Sequence, residues 1–291
     1  PLLLLLFAIS LTCRRLIDRA AYPLAIVALF FAGSVLGMFM PNRIDHHGWQ
    51  LALLALAIAG LVDPKPVRGG AVVGLATAVS MWIGLEMLIY LALAGVATTL
   101  FWVADASERR RLSAYAVTAG GGTASGFLVF ASYANRLPVC DALSPVWLSD
   151  ALLATGLLFG LSWLQPGGWK KRLALAAAAG AAVAAFHALA WPHCLSRLEG
   201  VSPEVEKLWL SHVREARPVY RHGWRLAVAI VSIPVTGIIG WVLLGWVRRP
   251  DPVQPRRTLA AAALALAAAL LLLWQTRTGP AAQMMGVVGA A

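Results

Sequence analysis

Charge is what this chain has least of. Asp, Glu, Lys and Arg make up 13% of its 291 residues, about half the ~25% usual for soluble globular proteins. Together with 60% hydrophobic residues and a mean hydropathy of +0.75, that deficit excludes a soluble domain and predicts an all-α, polytopic membrane protein. Phosphate-binding signatures are missing as well. There is no Walker-type loop, no dinucleotide-binding glycine fingerprint and no sizeable polar domain on the basic side, which argues against ATP-driven transport by this chain. The chain begins PLLLLLFAISLT and ends MMGVVGAA, both inside apolar runs and without a signal-peptide n-region, so the sequence reads as a fragment trimmed at both ends.

Long apolar runs are what it has most of. Segments able to cross roughly 30 Å of hydrocarbon fall near 1–12, 24–40, 49–62, 71–82, 85–104, 112–134, 147–163, 173–190, 225–248 and 258–275. The run 71–104 is too long for one helix, and Gly84 beside Glu86 supplies a turn. Splitting it there puts most of the basic residues into alternating loops: Arg14, Arg15, Arg19; Lys65, Arg68; Arg109, Arg110, Arg111; Lys170, Lys171, Arg172; and Arg248, Arg249, Arg256, Arg257. By the positive-inside rule those loops are cytoplasmic. The formal charge of +11 is then a matter of topology and does not signal nucleic-acid binding. The expectation is one domain over 1–291 of about ten membrane segments, with a single longer periplasmic loop at 191–224.

Acidic and imidazole groups gather on the opposite face. Asp45, Glu86, Asp141, Asp150, Glu199, Glu204, Glu206 and Glu215 lie there, as do His46, His47, His193, His212 and His222. Any chemistry is therefore expected outside the cytoplasm. Asp45, His46 and His47 offer oxygen and imidazole donors suited to a divalent metal. Asp45 is equally placed to satisfy the free N–H groups of the following helix. Glu86 is the one acid deep within an apolar run, where a functional role competes with a merely interfacial turn.

The loop 191–224 carries Ser202-Pro203-Glu204, a cap-and-Pro start for a short amphipathic helix running to about His212, with Val205, Leu208 and Trp209 on one face. After it come Arg214, Glu215 and Arg217, followed by Arg221 and Arg225. Guanidinium groups in that density suit phosphate, through bidentate hydrogen bonds, or lipid headgroups. Arg277 closes the last full segment, where it can snorkel to the interface. Cys140 and Cys194 both fall in outer loops, facing an oxidising compartment in which a disulfide persists. A Cys140–Cys194 bridge is predicted, two free thiols being the other reading, while Cys13 lies at an inner helix end.

Taken together, an outward DHH at a helix start, a later outer loop with an acidic element, and a QxR at a late helix end resemble the membrane glycosyltransferases of the GT-C superfamily. The resemblance is to the catalytic subunits of archaeal and bacterial oligosaccharyltransferases and their alphaproteobacterial relatives. It covers the topology of most of the chain, although about a dozen residues carry it. It implies a lipid-linked sugar donor, namely a polyprenyl (pyro)phosphate, used at the outer membrane face with Mg²⁺ or Mn²⁺, and an acceptor that is a protein, lipid or glycan.

By that resemblance Asp45 and His47, with His46 between them, hold the metal, and a further metal-binding Asp precedes residue 1. His212-Val213-Arg214-Glu215 matches a Thr/Ser-x-x-Glu element, His212 standing where Thr or Ser is usual, which gives Glu215 a catalytic role. Glu86 is the other candidate base. Arg277, with Arg43, Arg214 and Arg217, is expected at the donor phosphate. The WWDYG element of sequon-reading enzymes does not occur in these residues. The alternative functions are a transporter or flippase for a lipid-linked or anionic substrate, and a non-catalytic membrane protein. The expected location is a bacterial inner membrane.

Overall fold

A computed structural model describes residues 1–164, 166–195, 202–247 and 254–291. Glu199, Arg248 and Arg249 lie outside the described residues, as do those parts of the loop 191–224 and of the last basic connector that contain them. Among the described residues the chain is all-α. The helices are α1 Leu2–Leu16, α2 Tyr22–Phe30, α3 Gly33–Leu36, α4 His47–Leu61, α5 Pro66–Ile83, α6 Leu88–Ala104, α7 Arg109–Phe130, α8 Pro145–Trp163, α9 Trp169–Ala190, α10 Pro203–Leu208, α11 Trp224–Val247, α12 Gln254–Leu271 and α13 Gly279–Gly289.

By length and apolarity α5, α8, α9 and α11 are each long enough to cross a membrane, and Tyr22–Phe30 with Gly33–Phe39 makes a fifth if its 78° bend is one broken span. This is a multi-pass helical membrane protein. Every expected segment falls on a helix, with two differences. The segment 24–40 is broken at Phe31 and Ala32, and α13 was not expected at all. At 11 residues, α13 is too short to register as a span.

The described residues form two compact units. One comprises Pro1–Val62 with Val201–Ala291. In it α1 packs on α4, and Arg15 donates to the Ala59 carbonyl in the last turn of α4 at 2.6 Å. Helices α11 and α13 run parallel and meet glycine to glycine. A Cβ added at Gly237 would stand 2.2 Å from the Gly286 carbonyl oxygen, and one at Gly240 would stand 1.8 Å from that of Gly289. Small residues three apart on each helix let the backbones approach in an apolar setting, where dispersion and not water exclusion drives association. Gln283 of α13 then ties the unit together: its Oε1 accepts from the Ser34 N–H (2.9 Å), and its Nε2 donates to the carbonyls of Ala229 (2.9 Å) and Ile230 (3.2 Å).

The other unit spans Asp63–Gly200. Here α5 and α7 run parallel, with Gly70 and Gly74 against the Arg111 and Tyr115 carbonyls, while Gly122 and Gly126 admit Ala78 and Trp82. Helix α6, between them in chain order, runs back, so the break at 84–87 is a turn, as the charge pattern requires. The connectors at the basic end do more than join helices. Asp63, 1% exposed, accepts from Arg68 Nε (2.7 Å) and NH2 (2.9 Å) and from the Lys65 N–H (2.8 Å). Arg111, fully buried, donates to Glu108 (2.6 Å) and to the Asp63 carbonyl (2.7 Å), and lies over the Phe101 ring. Arg172 donates to the Val103 carbonyl at the end of α6 (2.9 Å). Helix C-termini leave four carbonyls without partners and a partial negative charge; Arg172 satisfies both at the end of α6, as Arg15 does at the end of α4.

At the opposite end of the same unit, α8 starts on a Ser144 cap whose hydroxyl accepts from the Val146 N–H, with Pro145 in the first turn. His187 near the end of α9 meets Asp150 of α8 at 2.6 Å, and Trp191 donates to the Ser149 hydroxyl at 3.1 Å. Cys140 and Cys194 are joined, with Cα atoms 5.5 Å apart.

Candidate functional site

Two clusters in the first unit gather most of the residues singled out by sequence. The first is the loop 40–47 between the 3-10 turn Gly37–Phe39 and α4. Asn42 adopts a left-handed backbone (φ 69°), and the Arg43 N–H bonds the Met40 carbonyl (3.1 Å), folding the loop back. Gly48 is required where α4 passes that turn, since a Cβ there would stand 2.8 Å from the Met38 carbonyl oxygen. The tight turn brings Arg43 onto Asp45: its Nε donates to Oδ2, and its NH1 reaches the Gly37 carbonyl (3.2 Å).

Asp45 Oδ1 accepts from the His47 N–H at 3.1 Å. Asp45 thus does the work of a cap, but from one position before the true cap residue, His46, because α4 starts at His47 and not near residue 49. The rings of His46 and His47 stack, with centroids 4.6 Å apart. His47 Nδ1 is buried, makes no hydrogen bond and stands 3.5 Å from Asp45 Oδ1. Partial desolvation pushes the Asp45 carboxyl up, but the bonds from Arg43 and the His47 N–H and their positive charges prevail, holding it below the usual carboxylate range.

The second cluster joins the loop after α10 to the end of α12. Thr276, 8% exposed, is its hub. Its N–H donates to the Arg217 carbonyl (2.9 Å), its hydroxyl to the carbonyl of Glu215 (3.1 Å), and His222 Nε2 lies 3.2 Å from that hydroxyl. The Val219 N–H bonds the Leu272 carbonyl (2.9 Å). Main chain carrying Arg214, Glu215 and Arg217 is thereby pinned beside Arg277. The Arg214, Glu215 and Arg277 side chains stand exposed, and Arg217 folds back onto the Ser211 carbonyl through Nε and NH2.

The two clusters belong to connected structure. Ser34, which bonds Gln283, precedes the 3-10 turn leading into the Asp45 loop, and Gly279 at the start of α13 packs against Ser34. Glu86 lies in the other unit, exposed, in the turn before α6. Helix α10 is shorter than expected, ending at Leu208, with a separate 3-10 turn at Leu210–His212; its Ser202 cap is as read. Sequence reasoning missed Thr276 and His222 as anchors. A small polar residue at a helix end carries no periodic signal, and only the fold shows what it faces.

These features define a class: a multi-pass helical membrane protein with a carboxylate–imidazole–guanidinium cluster at one helix start and an arginine-bearing loop docked on another helix end. No protein-family model and no curated protein matches the chain. Among solved structures, it matches the archaeal oligosaccharyltransferase AglB from Archaeoglobus fulgidus in complex with an inhibitory peptide and a dolichol-phosphate, at TM-score 0.68 and 18% identity. It also matches the apo form of the Archaeoglobus fulgidus oligosaccharyltransferase at 0.62 and 20%. In each case 99% of this chain is covered, and the chain spans 37% of the length of that protein. The fold is that of the transmembrane portion of an archaeal oligosaccharyltransferase.

Proposed function

We propose that the chain is the membrane portion of a metal-dependent glycosyltransferase, oligosaccharyltransferase-like, that takes sugar from a polyprenyl-(pyro)phosphate donor at the periplasmic face. The observation that carries this reading is the match of nearly the whole chain to an oligosaccharyltransferase whose solved form holds a dolichol-phosphate and a peptide. In this reading all ten sequence segments lie in the inner membrane, with the basic connectors cytoplasmic. The acceptor is a protein, a lipid or a glycan.

The residues fit a divalent metal. A buried imidazole nitrogen with no hydrogen bond, facing a carboxylate oxygen at 3.5 Å, is a donor pair short of a shared cation. Asp45 and His47 would hold Mg²⁺ or Mn²⁺, with His46 beside them. When bound, the ion supplies positive charge against the negative charge that develops on a departing phosphate. The chain's own residues do the rest. Arg43, already oriented by Asp45 and the Gly37 carbonyl, presents its guanidinium to the donor phosphate. Arg277 and Arg214 face solvent beside the docked loop and add two further cations, while Arg217 fixes the loop's curvature. Glu215, held by its main chain at Thr276, keeps its carboxylate free to orient or deprotonate an acceptor. Glu86 is the other candidate base.

The test is metal-dependent release of sugar from a polyprenyl-linked donor by the protein in proteoliposomes. Asp45→Ala and His47→Ala are each expected to lower transfer at least 100-fold, about 2.7 kcal/mol of transition-state stabilisation. Both should also weaken Mn²⁺ binding measured by electron paramagnetic resonance, with the helical content unchanged. Wild-type transfer in both variants would sink the proposal.

A further inference from the structure

Outside the site described above, three soft-metal ligands converge in the second unit. The Sγ atoms of Cys140 and Cys194 and a ring nitrogen of His193 all lie within 4.8 Å of one another. We propose that this trio is a zinc site in waiting: when the Cys140–Cys194 disulfide is reduced, the two thiolates and the His193 imidazole bind Zn²⁺.

Contacts that do not depend on the S–S bond hold each ligand in place. Cys140 is anchored by its own main chain, its carbonyl accepting from Trp147 Nε1 of α8 at 2.8 Å. The residue before it is anchored too, the Val139 carbonyl accepting from the Ser144 hydroxyl at 2.6 Å. His193 and Cys194 sit on the 3-10 turn Pro192–Cys194 that follows α9, where the Cys194 N–H bonds the Trp191 carbonyl at 3.0 Å. Between the two anchors, α8 and α9 are fastened by His187 on Asp150 (2.6 Å) and Trp191 on the Ser149 hydroxyl (3.1 Å). None of these five contacts involves sulfur. Reduction therefore frees two thiols that stay side by side, next to an exposed imidazole.

The donor chemistry selects the ion. Two thiolates and one imidazole form a Cys₂His set, which suits tetrahedral Zn²⁺ with a water in the fourth position. Hard Mg²⁺ and Mn²⁺ prefer oxygen, so this site is distinct from the carboxylate–imidazole pair at Asp45 and His47. With Zn–S bonds of about 2.3 Å, two sulfurs on one zinc sit roughly 3.7 Å apart, a spread within reach of side-chain rotation from positions already inside 4.8 Å.

The balance is simple. A dithiol or phosphine reductant supplies two electrons, and with two protons the S–S bond becomes two thiols. Zn²⁺ binding then releases both protons as the thiolates form. The consequence for the fold is a cross-link that survives a change of redox state. The hairpin of α8 and α9 is closed by sulfur–sulfur when oxidised and by sulfur–zinc–sulfur when reduced.

The experiment uses the full chain in detergent, in a Cys13→Ser background that removes the remaining thiol, with Co²⁺ as spectroscopic probe. After reduction by a phosphine under argon, the expected result is one Co²⁺ per chain, with thiolate charge-transfer bands in the near ultraviolet and tetrahedral d–d bands in the visible, both bleached by Zn²⁺. The unreduced protein should show neither. His193 is exposed, so His193→Ala should keep the fold, checked by circular dichroism, while weakening binding at least about tenfold; Cys140→Ser should remove roughly half of the charge-transfer intensity. Absence of these bands in the reduced protein overturns the proposal, as does binding that His193→Ala leaves unchanged.

Discussion

Two carboxylate–arginine pairs bracket what this chain does with charge. In one, Glu108 and Arg111 meet at 2.6 Å with the arginine fully buried and also bonded to the Asp63 carbonyl. In the other, Asp45 and Arg43 meet on a loop with side chains 25% and 37% exposed. The first pair has its donors committed within the protein, at the foot of helices it helps to end. The second has a carboxylate oxygen turned toward an imidazole nitrogen that lacks a partner, and a guanidinium open to water. Buried pairs are costly to form and very costly to break by halves, whereas exposed pairs contribute about 0–1 kcal/mol. The contrast teaches where to look for chemistry: the exposed, weakly coupled pair is the one that can exchange partners with a ligand.

The sharpest way to break that contrast is to cut each pair in half. Glu108→Ala leaves the buried Arg111 charge without its carboxylate and is expected to destabilise the protein by about 3 kcal/mol, read as a lowered unfolding midpoint in detergent. The matching cut in the other pair, Arg43→Met, should cost less than about 1 kcal/mol in the same assay. If the two variants unfold alike, the division between a structural and a functional pair fails.

Arg43→Met carries a second, smaller expectation that sharpens the comparison. Removing the guanidinium leaves Asp45 its bond from the His47 N–H and deletes its competing cation. Mn²⁺ binding should therefore be as tight as in the parent or tighter, while KM for the polyprenyl-linked donor rises about tenfold, in line with loss of a charge-assisted phosphate contact. A variant that loses metal affinity instead would mean that Arg43 builds the loop and does not serve the donor.

The helices were legible because hydrocarbon leaves a backbone little choice. With no water to satisfy N–H and C=O groups, apolar runs of this length become helices, and the alternation of basic loops fixed the turn at 84–87. The loop at Asp45 was legible because Pro41, Asp45 and two adjacent imidazoles are conspicuous between apolar runs. What was not legible depends on long-range contacts. Nothing local to Ser34 announces Gln283, which is 249 residues away. Nothing in the basic connectors distinguishes Arg172, capping α6, from Lys170 beside it. Helix α13 was hidden by its shortness, and the hub at Thr276 by being one small hydroxyl.

That hub yields the smallest effect and the most local one. The Thr276 side chain contributes a hydroxyl bond to the Glu215 carbonyl and a contact to His222, while its N–H bond to Arg217 belongs to the main chain and survives any substitution. Thr276→Val keeps the shape and the main-chain bond, and loses about 1 kcal/mol of hydrogen bonding. If Thr276 positions the loop for transfer, the variant should lower kcat about fivefold with little change in donor KM. It should also speed amide exchange across 214–222 without shifting the unfolding midpoint by more than a few degrees. Thr276→Ser, which retains the hydroxyl, should restore both. A purely structural hydroxyl would move the midpoint and leave kcat alone, and that result would separate the docked loop from the chemistry at Asp45.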